Sequence, residues 1–315
     1  MEISFHQAAE LLAKANTLVL TAHIHPDGDS LGSLLALYQA LQAKGKKVQL
    51  LLDDVVPVSY QFLPYYQMIV KPKDNEQLYP DLFVILDASD IERIGKVRQA
   101  VAAPILNIDH HVSNTRFADY SYLDFQASST GEMITRLLKE LQCAINEEIG
   151  NCLYTAIATD CGFFRYANTS ATTLRMAAEL VEAGAMPQVI SEALEKRPLS
   201  NLVTLTKVLE TIELHHNGKI ATMLIPRNVS EDPADNTEGF INYARSIDGV
   251  EVAVLLKVID ERTVRVSFRS HRADVSQIAV SFGGGGHIRA AGCTIYDSLQ
   301  NAQRLVISAA ADQIR

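Results

Sequence analysis

Positive charge, thiols and long apolar runs are what this chain has little of. Its 28 lysines and arginines are outnumbered by 37 aspartates and glutamates, for a formal net charge of −9. That balance argues against a protein that coats long nucleic acids through a basic surface, and leaves room for small anions in a locally positive pocket. The four cysteines, Cys143, Cys152, Cys161 and Cys293, include no Cys-x-x-Cys pair, so no disulfide framework is read and free, buried thiols are expected. No segment approaches the ~18 uninterrupted apolar residues of a membrane span. Met1-Glu2-Ile3-Ser4-Phe5-His6 lacks the basic region of a signal peptide. A cytoplasmic protein without a membrane partner is the expectation, and no internal repeat or low-complexity segment is seen.

What is present is a globular composition. With 315 residues, 48% hydrophobic and 21% charged, the chain can fill two ordinary cores. Helix and strand patterns alternate through the first part. An amphipathic helix opens near Phe5, Val48 to Asp53 reads as a strand, and Gly131 to Leu141 and Thr172 to Ala183 read as helices. This alternation predicts an α/β fold with a doubly wound, mostly parallel sheet. Gly184, Pro187 and Pro198 then interrupt helical segments, and Asn201 to Leu214 reads as one long connecting helix. The predicted domains are 1–190 and 215–315, joined by a helical linker over 191–214. Beyond it, Lys219 to Pro226, Val250 to Val258 and Arg262 to Ser270 read as strands. In the last, Val264, Val266 and Phe268 share the core face, opposite Arg265, Ser267 and Arg269.

Chemistry concentrates in the first half. His23-Ile24-His25-Pro26-Asp27-Gly28-Asp29 lies between the apolar run Thr17 to Leu20 and the helical pattern from Ser30, in a strand-to-helix loop. Asp87 ends the run Leu82 to Leu86, and Asp109-His110-His111 ends Pro104 to Ile108. Asp160 closes the helical stretch Ile149 to Ala158. A single aspartate at a strand end is an ordinary turn former or helix cap. Two histidine–aspartate clusters at strand ends are harder to explain that way, because open α/β sheets place their ligands at that edge. Oxygen-rich sites with one or two imidazoles suit Mn²⁺ or a related divalent ion.

These residues resemble the DHH phosphoesterases, and within them the bacterial nanoRNase and pAp (3′-phosphoadenosine-5′-phosphate) phosphatase subgroup. Asp109-His110-His111 matches the triplet that names the family, and His23 to Ser33 matches its first motif. Near the other end, Val264 to Ser270, Gly284-Gly285-Gly286-His287 and Ala290-Ala291-Gly292 look like the DHH-associated C-terminal domain, so the likeness spans essentially the whole chain. His25 stands where the subgroup usually has Asn, and Cys161 where Thr is expected. The likeness implies a smaller α/β second domain and an active site in the cleft between domains. It implies one ion on His23, Asp27 and Asp87, and another on Asp29, Asp87, His110 and Asp160. Two Mn²⁺ are expected, with Mg²⁺ or Co²⁺ as substitutes. Ions about 3.5–4 Å apart can activate a shared water for attack on phosphorus. His111 is expected to stabilise phosphoryl charge or protonate the departing oxygen, and Asp109 to orient His110. Arg93, Arg269, Ser270, Gly284, Gly285, Gly286 and His287 are the expected substrate contacts, the glycine run acting as a clamp. Arg165, Asn168 and Thr169 either line the cleft or cap the next helix. His215-His216, beside the turn signal Asn217-Gly218, is given no function.

The activity this implies is Mn²⁺-dependent hydrolysis of short oligoribonucleotides, such as linear pApA, to nucleoside 5′-monophosphates, with removal of the 3′-phosphate of pAp. Cyclic dinucleotide cleavage would use the same centre. A family II inorganic pyrophosphatase shares the metal domain, but no Ser-Arg-Lys-Lys-Gln-like stretch is found. A RecJ-like exonuclease is disfavoured by compactness and acidity, and a non-catalytic nucleotide sensor by the completeness of the carboxylates. Partners are short RNA and adenine nucleotides, and the oligomeric state is left open, a homodimer included.

Overall fold

A computed structural model describes residues 1–75, 77–227, 237 and 239–314. The chain divides into two compact units, Met1–Lys196 and Arg197–Arg315.

The first unit is built from α1 (Phe5–Lys14), β1 (Thr17–Ala22), α2 (Gly28–Ala43), β2 (Lys47–Leu51), β3 (Ile69–Val70), β4 (Leu82–Leu86), α3 (Val97–Ala100), β5 (Ile105–Asp109), β6 (Tyr120–Leu123), α4 (Thr130–Glu140), α5 (Glu147–Asp160), α6 (Ala171–Glu182) and α7 (Pro187–Glu195). Its sheet runs β3-β2-β1-β4-β5-β6, with every pairing parallel. Burial on both faces explains why β4 reads as an unbroken apolar run: all five of its residues are buried. Strand order reverses between β1 and β4, the switch point where open sheets leave a crevice at their carboxyl ends.

Local chemistry starts the helices that border this crevice. Asp27 caps α2 by accepting from Ser30 N at 3.0 Å, and Ser129 caps α4 by accepting from Glu132 N at 3.1 Å. α2 is buried along most of its length, with α4 and α5 packed against it. Gly32 permits this packing, since a Cβ there would lie 2.3 Å from Cys152 O on α5.

The second unit holds α8 (Leu199–Leu209), β7 (Glu213–His215), β8 (Ile220–Ile225), α9 (Ile241–Arg245), β9 (Val252–Asp260), β10 (Thr263–Ser270), α10 (Val275–Ser281), β11 (Gly285–His287), β12 (Ala290–Ile295) and α11 (Leu299–Gln313). Its sheet runs β11-β12-β10-β9-β8-β7, antiparallel except between β8 and β9. Val264, Val266 and Phe268 alternate into one core cluster. The helix read over Asn201 to Leu214 is shorter than its pattern. Thr211 Oγ1 donates to Val208 O at 2.7 Å and accepts from Leu224 N at 2.8 Å, which ends the helix and leads into β7. α8 is no free linker either, because Leu205 and Val208 belong to a core with Met223 and Phe240. Among the described residues, no helix is long and apolar enough to cross a membrane.

Candidate metal centre

The loops after β1, β4 and β5 and the end of α5 converge on one buried cluster of charged side chains. His23 follows β1, Asp29 occupies the first turn of α2, Asp87 follows β4, and Asp109, His110 and His111 end β5. Asp87 adopts a left-handed conformation, φ 56°, while its N–H still pairs with Ile108 O of the neighbouring strand at 3.0 Å. That backbone turn swings its carboxylate out of the sheet line and into the crevice.

Among the described residues three donor groups contain Asp87, one of them with Asp109 and His111. One atom each from His23, Asp27 and Asp87 lie within 4.8 Å of one another, and so do atoms from Asp29, Asp87 and His110. Such spacing suits a common cation with bonds of about 2.0–2.2 Å. Asp87 Oδ2 lies 3.4 Å from His23 Nε2, and its Oδ1 lies 3.6 Å from His110 Nε2. His110 Nε2 also lies 3.6 Å from Asp29 Oδ2 and 3.7 Å from Asp160 Oδ2, so Asp160 faces the second group.

Hydrogen bonding orients both rings for coordination. His23 Nδ1 meets Ile24 O at 2.8 Å and His110 Nδ1 meets Ala127 O at 3.3 Å. A carbonyl only accepts, so Nδ1 carries a proton and Nε2 of each ring, turned toward the carboxylates, can offer its lone pair to a cation once its own proton is released.

Electrostatics point the same way. Burial, with repulsion from Asp87 and Asp160 added and His110 opposing, lifts the Asp29 carboxyl well above its usual range. Burial likewise pushes Asp160 up to about 6, His110 opposing and Asp87 and Asp27 adding to it. Burial lowers the affinity of His23 for a proton, but Asp27 and Asp87 outweigh it and raise the ring to about 10. His110 is raised too, by Asp87, Asp160 and Asp29 against its burial. Without a metal, the imidazoles hold protons as the counter-charge that these carboxylates demand. The donor set, oxygen-rich with two imidazoles, fits a hard or borderline divalent ion.

The remaining expected residues divide. Asp109 pairs with His111: its Oδ1 accepts from His111 Nδ1 at 2.6 Å and its Oδ2 from Asn114 Nδ2 at 2.6 Å. Side chains two apart on an extended chain share a side, which places 109 with 111. His25, φ 55°, turns its exposed ring to Asp54 Oδ2 at 3.2 Å. Cys161 is buried, and that burial pushes its thiol up to about 11. Arg93 is exposed on a short turn whose backbone ties to the first motif, Ile24 N donating to Arg93 O at 2.6 Å. Asn168 Nδ2 donates to Ser128 O at 3.0 Å and Asp160 O at 3.2 Å, while the cap of α6 is Ser170.

In the second unit, half-buried Arg269 donates from Nη1 to Phe268 O at 2.9 Å. Ser270 is buried and donates to Ala273 O at 2.6 Å, so its hydroxyl shapes the following turn. Gly285, Gly286 and His287 form the edge strand β11 against β12, directly after Gly284. Thr130, Gly131 and Asn114 touch the cluster without having been singled out in the sequence, where nothing distinguishes them from ordinary cap and turn residues.

Comparison with known proteins adds the family. Residues 17–157 match the DHH family N-terminal domain and residues 219–314 match the DHHA1 domain. A bifunctional oligoribonuclease and PAP phosphatase NrnA of Thermus thermophilus is 34% identical over 310 residues, covering 98% of this chain and 93% of that protein. The chain belongs to the DHH family. A second such relative, from Bacillus subtilis, is 28% identical and covers 92% of this DHH chain and 93% of its own. An exopolyphosphatase-related protein of Bacteroides fragilis shares the fold at a TM-score of 0.86 and 24% identity, covering 97% of this chain and 94% of that one. RecJ bound to manganese shares it more distantly, at 0.51 and 15%, covering 98% and 94%. The DHH chain is a hydrolase of phosphodiester and phosphate monoester bonds.

Proposed function

We propose that this DHH hydrolase cleaves short oligoribonucleotides to nucleoside 5′-monophosphates and removes the 3′-phosphate of pAp, using two Mn²⁺ ions. One observation carries the two-ion reading: Asp87 belongs to the group with His23 and Asp27 and to the group with Asp29 and His110, and turns a different oxygen to the histidine of each. The relatives named as bifunctional oligoribonuclease and PAP phosphatase support the substrates. His23, Asp27 and Asp87 would hold one ion, and Asp29, Asp87, His110 and Asp160 the other. Bound there, the ions supply activation of water and neutralisation of phosphoryl charge.

The chain's own residues do the rest. With His111 Nδ1–H committed to Asp109, a proton taken up by His111 resides on Nε2. From that atom it can stabilise a phosphoryl oxygen or pass to the departing one. Asn114 steadies Asp109 from the other side, so the imidazole keeps one orientation through the reaction. Arg93, Arg269, the Gly284–Gly286 run and His287 are assigned to the substrate's phosphates and bases.

The test is hydrolysis of linear diadenylate with Mn²⁺, beside pAp and inorganic pyrophosphate, with Asp87→Ala as control. Release of AMP from diadenylate and pAp, lost in the variant, is expected. Turnover of pyrophosphate alone would overturn the substrate assignment, and an active Asp87→Ala would overturn the shared ligand.

A further inference from the structure

Three carboxylates of the cluster come from separate segments, and one turn touches all of those segments. Asp29 stands at the head of α2, Asp87 after β4 and Asp160 at the end of α5. The turn is Ser128–Gly131, which opens α4. Thr130 N donates to Asp29 Oδ2 at 2.7 Å and Gly131 N to Asp29 Oδ1 at 2.8 Å. The Thr130 hydroxyl donates to Asp87 Oδ1 at 3.1 Å. Asn168 Nδ2, bridging Ser128 O and Asp160 O, pins the end of α5 to the same turn.

The turn is itself held rigidly. Glu132 is buried, and its Oε2 accepts from Ser128 N at 3.2 Å, Ser128 Oγ at 2.7 Å and Thr173 Oγ1 at 3.1 Å. At Gly131 a Cβ would lie 2.4 Å from Ala156 Cβ, so the head of α4 is pressed against α5. Thr130 is fully buried, with no water to compete for its hydroxyl. A hydroxyl-to-carboxylate bond in such surroundings is charge-assisted and directional. It fixes the plane of the Asp87 carboxylate, and that plane decides which oxygen faces His23 and which faces His110.

We propose that Thr130 is a positioning residue for the two-ion centre: its N–H holds Asp29, its hydroxyl sets the carboxylate plane of Asp87, and together they set the spacing between the ion positions. This rests on the two-ion reading above. Residues that orient metal ligands typically change metal affinity or activity by about 10–100-fold when removed.

The test compares Thr130→Val, which keeps the shape and the N–H but loses the hydroxyl, with Thr130→Ser, which keeps the hydroxyl. Mn²⁺ binding is followed by titration calorimetry, coupling between the ions by electron paramagnetic resonance, and kcat and KM on diadenylate. Valine should weaken Mn²⁺ binding by about 10–100-fold, alter the coupled Mn²⁺ signal and lower kcat more than it raises KM. Serine should restore most of each. Thr130→Ala, which also lacks the hydroxyl, reports the same loss if valine does not fold. Wild-type protein that binds two ions, with a hydroxyl-free variant binding them equally well, overturns this inference alone. So does serine that performs no better than valine. Wild-type protein that binds fewer than two ions overturns the two-ion reading and this inference with it.

Discussion

Replacing Asp160 by Asn should stabilise the metal-free protein and lose most of that advantage over wild type once metal is supplied. In the metal-free fold burial, joined by the negative charges of Asp87 and Asp27, lifts the Asp160 carboxyl from its ordinary 3.8 to about 6. A folded value above the unfolded one means that this group's contribution is fully present below pH 3.8 and is lost as pH rises through 6. At 1.36 kcal/mol per pH unit, the loss at pH 7.5 is on the order of 3 kcal/mol. Asparagine is neutral throughout and avoids it. The first unit spans Met1–Lys196, a size at which one kcal/mol moves the melting midpoint by roughly 2–4 °C. Scanning calorimetry in EDTA at pH 7.5 should therefore show Asp160→Asn melting roughly 6–12 °C above wild type, with the gap narrowing toward pH 5. Excess Mn²⁺ should close most of the gap. An ion at a hundred times its dissociation constant adds about 2.7 kcal/mol to wild type, against a difference of roughly 3 kcal/mol, and the variant, with one donor fewer, gains less. A variant that melts below wild type in EDTA, and gains as much from Mn²⁺, would refute both the repulsion and the ligand assignment.

Three further outcomes follow from the same geometry. Gly32→Ala sets a methyl 2.3 Å from Cys152 O and should cost about 1–3 kcal/mol in urea unfolding; an unchanged midpoint would mean that α2 and α5 separate freely. Asp109→Asn should lower turnover about 10–100-fold while metal content, read by elemental analysis, stays at the wild-type level. Loss of metal instead would move Asp109 into the donor set. Cys161, buried with its thiol pushed up to about 11, should resist a thiol reagent at pH 8 until the chain is unfolded. Labelling in the native state would show that the end of α5 opens.

Apolar runs made the sheet edge legible. Leu82 to Leu86 and Leu106 to Ile108 are buried strand residues, and Asp87 and Asp109 stand at the ends that their patterns mark. The helical pattern from Ser30 was legible, but α2 begins two residues earlier, at Gly28, because Asp27 caps it. Partnerships were harder. Asp109 next to His110 in sequence suggests a pair, whereas extended backbone sends neighbours to opposite sides and joins 109 to 111. Thr130 lies 101 positions from Asp29, and no local pattern links them. The helix over Asn201 to Leu214 was overextended because Ile212 and Leu214 continue its apolar spacing, while the side-chain bonds of Thr211 that stop it leave no periodic trace.

The way the cluster is gathered fixes when it can exist during synthesis. Its members run from His23 to Asp160, and the turn that holds Asp29 is made only after the strands carrying Asp87 and Asp109. A growing chain that has reached β5 has the strands whose pairing gathers His23, Asp87 and Asp109, but not the turn that holds Asp29 or the helix that carries Asp160. Closure waits for α4 and α5 to dock on α2, which already stands complete near the start. The hydrogen bonds described above to Asp29 and Asp87 all come from the first unit. The order of synthesis therefore makes these carboxylates and the turn that holds them before the C-terminal unit is translated.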